Sequence, residues 1–334
     1  MTAGRKVALT GIQPSGTPHI GNYLGMIRPA LELARDYDAY YFLADGHALT
    51  TVRDPAQLRD QTHEMAAVLL ALGLDPERVV FYRQSDVPEV FELAWILSCV
   101  TPKGLLNRAH AYKDAVAANE AAGRSADDGI SMGLYGYPVL MAADILIVDA
   151  NVVPVGSDQR QHVEMARDMA EAFNRCYGDV LTLPEPLIDP GVATIVGLDG
   201  RKMSKSYGNV VPILASPEDQ RKLVMRIVTD SRRPEEPKDP DTDNLFRIYE
   251  HFAAPERVEA MRRRYLEGGV GYAEVKEELA GLLRDTFEAP RRRFTELMDD
   301  RARIDAVLAE GARKARATAR GVLTRVRKAV GLEA

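Results

Sequence analysis

The string Lys202-Met203-Ser204-Lys205-Ser206 places two ammonium groups and two small hydroxyl donors side by side. Gly197 and Gly200, just ahead of it, allow the segment to hinge. A loop of this kind can close on a polyphosphate, and its grip strengthens as charge moves onto a leaving group. Taken alone it equally suits a solvated basic turn. Far earlier in the chain lies Pro14-Ser15-Gly16-Thr17-Pro18-His19-Ile20-Gly21-Asn22. Unpaired amides and the positive dipole end at the start of a helix attract anions, and Gly21 has no Cβ to keep a flat base or ribose away. His19 and Asn22, three apart, share one face of the first turn and point at the same oxygens. This string alone also suits a tight turn with a surface histidine. The two strings on one chain point to a nucleotide triphosphate between them, provided the fold brings them together.

The flanking residues say which elements must do this. Residues 7–9 form an apolar extended run, and residues 23–34 carry Leu24, Ile27, Leu31 and Leu33 at helical spacing. That reads as strand, Gly/Pro turn and helix start. Strand-like runs at 6–10, 39–44 and 79–82 alternate with helical patterns at 21–35 and 55–73. The alternation predicts an α/β fold with a doubly wound parallel sheet of the Rossmann type, in which ligands gather at the C-terminal strand ends. The first turn and His47, in Asp45-Gly46-His47-Ala48, both fall at such ends. A helical insertion follows, and its part 115–128 has little apolar periodicity, so it is expected to be exposed or mobile. From about residue 215 the pattern is helical almost throughout, at 217–228, 243–253, 255–267, 272–298 and 301–330, with a proline-rich break at 232–240. The expected division is 1–110 for the first half of a catalytic domain, 111–180 for the insertion, 181–214 for the second half with the lysine loop, and 215–334 for an all-helical C-terminal domain ending in a long helix.

Spacing also suggests a pocket for a second substrate. Tyr137, Met141 and Asp144 stand at i, i+4 and i+7 and share one helix face. A carboxylate between Ala143 and Ile145 is costly to bury unless a donor meets it. A ring N–H is such a donor, and the Met141 sulfur suits a ring edge. Asp144 could instead cap a helix or pair with an arginine in the core. Val153 and Val155 alternate on a short strand as an apolar wall, and Gly156 turns the chain into a helix starting near Asp158, from whose end Asp158 and Gln159 reach the site. Gln159 could also be an ordinary exposed first-turn residue.

Composition excludes several function classes. With 334 residues, 46% hydrophobic and 28% charged, the chain can build two cored domains. No cationic apolar leader precedes the first strand, and the apolar run 65–74 is too short to span a bilayer, so a cytoplasmic protein with no membrane association is expected. Cys99 and Cys176 are far apart, which excludes a Cys-x-x-Cys site and makes reduced, buried thiols the default. The net charge of -6 argues against a general nucleic-acid coat. It is unevenly spread: from Arg301 onward nine basic residues face three acidic ones. Such a tail can approach an RNA backbone, or it can be a solvated helix face.

The two opening strings resemble the HIGH and KMSKS signatures of class I aminoacyl-tRNA synthetases. Gly11-Ile12-Gln13-Pro14-Ser15-Gly16, His19-Ile20-Gly21-Asn22-Tyr23, Met141-Ala142-Ala143-Asp144-Ile145-Leu146 and Val153-Pro154-Val155-Gly156-Ser157-Asp158-Gln159 together resemble the bacterial tryptophanyl-tRNA synthetase family, from about residue 7 onward. The resemblance implies activation of L-tryptophan by ATP and transfer to tRNA(Trp), with Mg2+ arriving on the ATP phosphates and no protein-held metal. It implies catalytic roles for Lys202, Lys205, His19 and Gln13. ATP would be held by Gln13, Ser15, Gly16, His19, Gly21, Asn22, Gly156, Asp158, Lys202, Met203, Ser204, Lys205 and Ser206, with Asp158 on the ribose. Tryptophan would lie among Leu9, Gln13, His47, Tyr137, Met141, Asp144, Val153, Val155 and Gln159, with Gln159 and Gln13 on the head group. The insertion would be a homodimer interface, and the helical C-terminal domain would read the anticodon. Many bacterial members have an aromatic residue in place of Leu9, so one pocket wall is expected to be looser or supplied elsewhere. They also often carry a second lysine two positions beyond Lys113, where this chain has Ala115, so Lys113 or the lysine loop must take over that phosphate contact.

Two rivals remain. A tyrosyl-tRNA synthetase shares the catalytic layout, although the face from Met141 to Asp144 with Val153 and Val155 fits an indole better. Phenylalanine would leave a buried acceptor unpaired, so selection needs no large editing domain. A non-charging paralogue that binds tryptophan and ATP is the other, and the intact Lys202, Lys205, His19 and Gln159 argue against it.

Overall fold

The computed structural model describes residues 5–156, 159–188 and 195–332. Five strands, β1 (Val7–Ile12), β2 (Asp38–Leu43), β3 (Val80–Arg83), β4 (Val152–Pro154) and β5 (Glu185–Leu187), form one parallel sheet in the order β3-β2-β1-β4-β5. The doubly wound expectation therefore holds. The chain winds outward from β1 to β3, then crosses back to place β4 on the other side of β1. Crossover connections leaving in opposite directions open a crevice beyond the C-terminal ends of β1 and β4. The sequence reading had no strand at β5, which is three residues long with a proline at its centre and lacks an alternating apolar run.

The first crossover begins at Ile20–Asn22, continues as a π-helical stretch Tyr23–Ile27 and ends as Arg28–Leu33. The second is the helix Pro55–Ala71, where Pro55 opens the first turn and the Asp54 carboxylate accepts from the amides of Ala56 (2.8 Å) and Gln57 (3.4 Å). The insertion holds the helices His110–Ala121 and Met132–Leu146, the latter capped by the Ser131 hydroxyl accepting from Leu134 N–H. Register sets one face of the sheet: Leu9 lies opposite Tyr40, Gly11 opposite Phe42, and Phe42 opposite Tyr82. A Cβ on Gly11 would sit 2.5 Å from the Phe42 ring, so glycine there lets that ring lie across β1 and stack on Tyr82 at 5.9 Å.

Packing divides the chain differently from the expected break at residue 215. Ile195, Val196, Met203, Val211 and Ile213, around the lysine loop, share a core with the helices Pro217–Met225, Asn244–Tyr249, Pro255–Glu267 and Tyr272–Asp299. The long helix Arg301–Val330 instead returns to the sheet, with Ile304 and Leu308 in one sheet-side core and Ala312, Ala315, Ala319 and Val322 in the other. Its small residues explain the choice. A Cβ on Gly311 would lie 1.7 Å from the Phe81 carbonyl oxygen, so only glycine lets this helix rest on the backbone of the edge strand β3. Five of its arginines turn to the body instead of forming a free basic tail: Arg316 and Arg320 meet Glu89 at 3.0 and 3.1 Å, Arg325 meets Asp149 at 2.8 Å, Arg301 meets Asp60 at 2.6 Å, and Arg327 meets Glu92 at 2.5 Å. They strap the helix to the acidic body.

The expectation of buried thiols is overturned. Cys99 follows the helix Glu89–Ser98 and Cys176 lies in the last turn of Arg160–Tyr177, and both are exposed. No helix among the described residues is long and apolar enough to cross a membrane.

Candidate active site

Backbone pairing brings the two distant strings together. Ile20 N–H donates to Val211 C=O at 2.9 Å, Ile213 N–H donates to Pro18 C=O at 3.1 Å, and His19 bridges to Pro212. The segment after the lysine loop is thus stitched along the first turn. Gly21 N–H lies 3.2 Å from the Met203 sulfur, and a Cβ on Gly21 would press on both the His19 ring (3.0 Å) and Met203 Cβ (3.2 Å). The missing side chain at Gly21 therefore admits the lysine loop itself. Met203, an apolar residue inside a polar string, is buried as the anchor of that contact.

Lys205 reaches over the first turn, its ammonium donating to the Ser15 carbonyl at 2.7 Å and standing where a Cβ on Gly16 (φ +78) would be 3.5 Å away. Burial lowers its pKa, and the Glu64 carboxylate, which accepts from the Thr17 hydroxyl at 2.9 Å, opposes that shift. Lys202 is exposed, while Ser204 and Ser206 join hydroxyls at 2.9 Å. Asn209, which the sequence reading passed over, organises the loop: it accepts from Ser204 N–H at 2.8 Å and donates to Lys202 C=O at 3.1 Å and to Asp199 at 2.7 Å. That last bond is the main reason the Asp199 carboxyl is held down at about 2. A Cβ on Gly197 would overlap the Asn209 amide at 2.4 Å, so the glycine ahead of the loop makes room for its organiser.

His19 is buried, not the surface histidine the turn alone would have allowed. Burial, helped by the Lys205 charge, lowers its pKa to about 4, so near neutral pH it is an uncharged imidazole. Its backbone N–H donates to Asn22 Oδ1 at 3.2 Å, and its Nδ1 is buried with no hydrogen-bond partner. A neutral ring with an unused nitrogen beside an ammonium is suited to a phosphate oxygen.

The second pocket lies along the helix Met132–Leu146. Leu9 and Val153 belong to the core under this helix, with Met141 and Val155 packed against it. Asp144 is buried and meets neither a cap nor an arginine. Its carboxylate accepts from Gln84 Nε2 at 2.8 Å on each oxygen and from His47 Nε2 at 3.0 Å. Desolvation raises its pKa, while His47 and Gln84 oppose the rise. The Tyr82 hydroxyl is buried here without a partner, its ionisation suppressed by burial and by the Asp144 charge. The Phe42 and Tyr82 rings thus stand in the same core as Leu9. Tyr137 donates from its hydroxyl to His162 Nε2 at 2.7 Å, and His162 Nδ1 donates to Gln159 Oε1 at 2.8 Å. Gly46, His47, Tyr137, Leu140 and Arg53 help line a cavity of about 430 Å³ beside this chain.

Gln13, Ser15, Gly156 and Gln159 are exposed near these elements, and Lys113 is exposed on its helix. Asp158 lies outside the described residues. Gln84, His162, Asn209 and Tyr82 are additions of the structure. Gln84 had a signal, since it directly follows β3 at a C-terminal strand end. Asn209 and His162 carried none beyond residue type.

A family model described as tRNA synthetases class I (W and Y) matches residues 2–288. The chain is 52% identical over 329 residues to a tryptophan–tRNA ligase of Pseudomonas aeruginosa, a match spanning 97% of this chain and 73% of that protein. A tryptophan–tRNA ligase of Xanthomonas campestris pv. campestris is 52% identical over 328 residues, covering 97% of this chain and 76% of its own length. Among solved structures, the tryptophanyl-tRNA synthetase from Campylobacter jejuni complexed with ADP and tryptophan superposes with a TM-score of 0.88 at 43% identity, over 97% of this chain and 99% of that one.

Proposed function

The chain belongs to the class I tRNA synthetases of the tryptophan and tyrosine type, and from that membership we infer that it is an aminoacyl-tRNA ligase joining L-tryptophan to tRNA(Trp) with ATP as its substrate. The observation that carries the nucleotide half is the Lys205 ammonium on the Ser15 carbonyl, which closes the lysine loop over the first turn.

In the first step the tryptophan carboxylate attacks the α-phosphorus in line, giving tryptophanyl-adenylate and pyrophosphate. No covalent protein intermediate is needed, so the residues act by position and charge. The Lys205 ammonium exchanges the Ser15 carbonyl for phosphate oxygens, and Lys202 adds a second cation. His19 offers a neutral ring, and Gln13, Ser15, Gly16, Gly21 and Asn22 shape the turn on which the triphosphate lies. Met203, Ser204 and Ser206 hold the loop, and we assign the ribose to Gly156 and, on the family resemblance alone, to Asp158. Among the described residues no three His, Cys, Asp or Glu side chains gather into a set able to hold a metal ion. Mg2+ would reach the site on the ATP phosphates and would there offset the charge of the departing pyrophosphate.

The indole lies against Leu9, Met141, Val153 and Val155, and its N–H donates to Asp144. Gln159 and Gln13 take the head group, and Tyr137 and His47 line the rest of the pocket, His47 beside Asp144. In the second step the terminal ribose hydroxyl of tRNA attacks the adenylate carbonyl, forming the ester, breaking the acyl–phosphate bond and releasing AMP. We assign the helices between residues 217 and 299 to anticodon binding, and the insertion, with its exposed Met132, to a homodimer interface that continues onto the exposed Phe91, Trp95 and Leu49.

An amino-acid panel in ATP–pyrophosphate exchange tests this reading. Exchange should depend on tryptophan and stay at background with tyrosine. Stronger exchange with tyrosine would assign that amino acid instead, and tryptophan binding without tRNA charging would mark a non-charging paralogue.

A further inference from the structure

Gln84 is fully buried directly after β3, at the sheet end where ligands gather. Its amide nitrogen lies 2.8 Å from both Asp144 oxygens, and its amide oxygen accepts the His47 backbone N–H at 3.2 Å. The second contact decides which way the amide faces, because a backbone N–H can only donate. Gly46 makes the space, since a Cβ there would lie 2.7 Å from the Gln84 amide oxygen. His47 Nε2 then donates to Asp144 Oδ2 at 3.0 Å. Oδ2 is met from two sides, whereas Oδ1 has only its share of the Gln84 amide and keeps an acceptor site open.

We infer that Gln84 is the positioning residue that sets the Asp144 carboxylate for the indole N–H, and through it selects the amino acid rather than the nucleotide. The inference rests on the reading of Asp144 as the indole acceptor. A buried carboxylate serves that purpose only if it stays ionised and its plane is held. The charge-assisted bonds from Gln84 and His47 favour the ionised form, and a nitrogen straddling both oxygens holds the plane. The other groups facing Asp144 do neither: the Asp45 carboxylate repels it, and the Tyr82 hydroxyl makes no hydrogen bond. Without the Gln84 donor the carboxyl shifts toward its protonated form, which can rotate and donate to the wrong partner.

Two variants of the full chain test this. Gln84→Met keeps the length and removes both amide functions, and Gln84→Leu keeps comparable bulk with neither donor nor acceptor. Steady-state pyrophosphate exchange is measured across pH with tryptophan and with 3-benzothienylalanine, in which sulfur replaces the indole N–H. Each variant should raise the tryptophan KM by about 10- to 100-fold while the ATP KM stays within about twofold. Preference for tryptophan over the sulfur analogue should drop by about tenfold. The acid limb of kcat/KM for tryptophan should move to higher pH, because the lost bond had been lowering the carboxyl pKa. Equal rises in both KM values, or a raised tryptophan KM with unchanged analogue preference and acid limb, would reduce Gln84 to packing and overturn the inference. Asp144→Ala, which removes both carboxylate oxygens, is run in parallel and separates the two ideas. If it leaves the analogue preference intact, the acceptor reading itself fails; if it abolishes the preference and the Gln84 variants do not, only the inference on Gln84 fails.

Discussion

The Lys205 ammonium sits 2.7 Å from the Ser15 carbonyl oxygen, although 190 positions separate the two residues. A cation held by one neutral carbonyl and partly withdrawn from water is poised for exchange, since a polyphosphate offers several charged oxygens where the backbone offers one. On the function proposed above, ligand binding would have only a small rearrangement of the loop to drive.

Replacing Lys205 with alanine should slow adenylate formation by about 100- to 1000-fold, the usual effect of deleting one well-placed group that stabilises transition-state charge. The tryptophan KM should change by no more than about threefold. Pre-steady-state measurement of adenylate formation checks this, and an unchanged rate would remove the loop from the mechanism.

Asp144→Ala should weaken tryptophan far more than ATP, by about 10- to 100-fold in KM, because the indole N–H is then buried without an acceptor. Equal weakening of both ligands in the exchange assay would contradict the assignment.

Stability should depend on acid through His19. Its folded pKa of about 4 lies below the ordinary 6.5, so between these values the unfolded chain binds a proton that the folded chain refuses. Stability is present in full above that window, falls as pH drops through it, and levels off below. Urea unfolding at a series of pH values should show this slope, and His19→Asn should flatten it.

Gly311→Ala should destabilise the fold by roughly 2 to 4 kcal/mol, because the new methyl group meets the β3 backbone, which cannot rotate away as a side chain could. Gly321→Ala is the control, since a Cβ there meets nothing within 4 Å. Equal urea midpoints for the two variants would refute the close approach.

Much of the site was legible because it consists of short strings. His19 to Asn22, Lys202 to Ser206 and the face from Tyr137 to Asp144 are each local, and helix or turn geometry alone says which side chains stand together. The partners were not legible. Nothing local links Gln84 with Asp144, Asn209 with the backbone of Lys202, or His162 with Tyr137 and Gln159, since each pairing needs the tertiary fold. The same holds for the helix Arg301–Val330. Its periodicity was plain, but its arginines suited an RNA backbone as well as they suit Glu89 and Asp149, and only the approach of Gly311 to Phe81 decides the matter.

That approach has a consequence for how the protein is made. Arg316 and the Glu89 it clasps are 227 positions apart, so the ribosome completes β3 long before it delivers the helix that covers this outermost strand. Until then the nascent chain carries a strand with one unsatisfied side, the kind of surface that pairs with a neighbouring chain. A chain stopped short of Arg301 is therefore expected to aggregate more readily than the full chain.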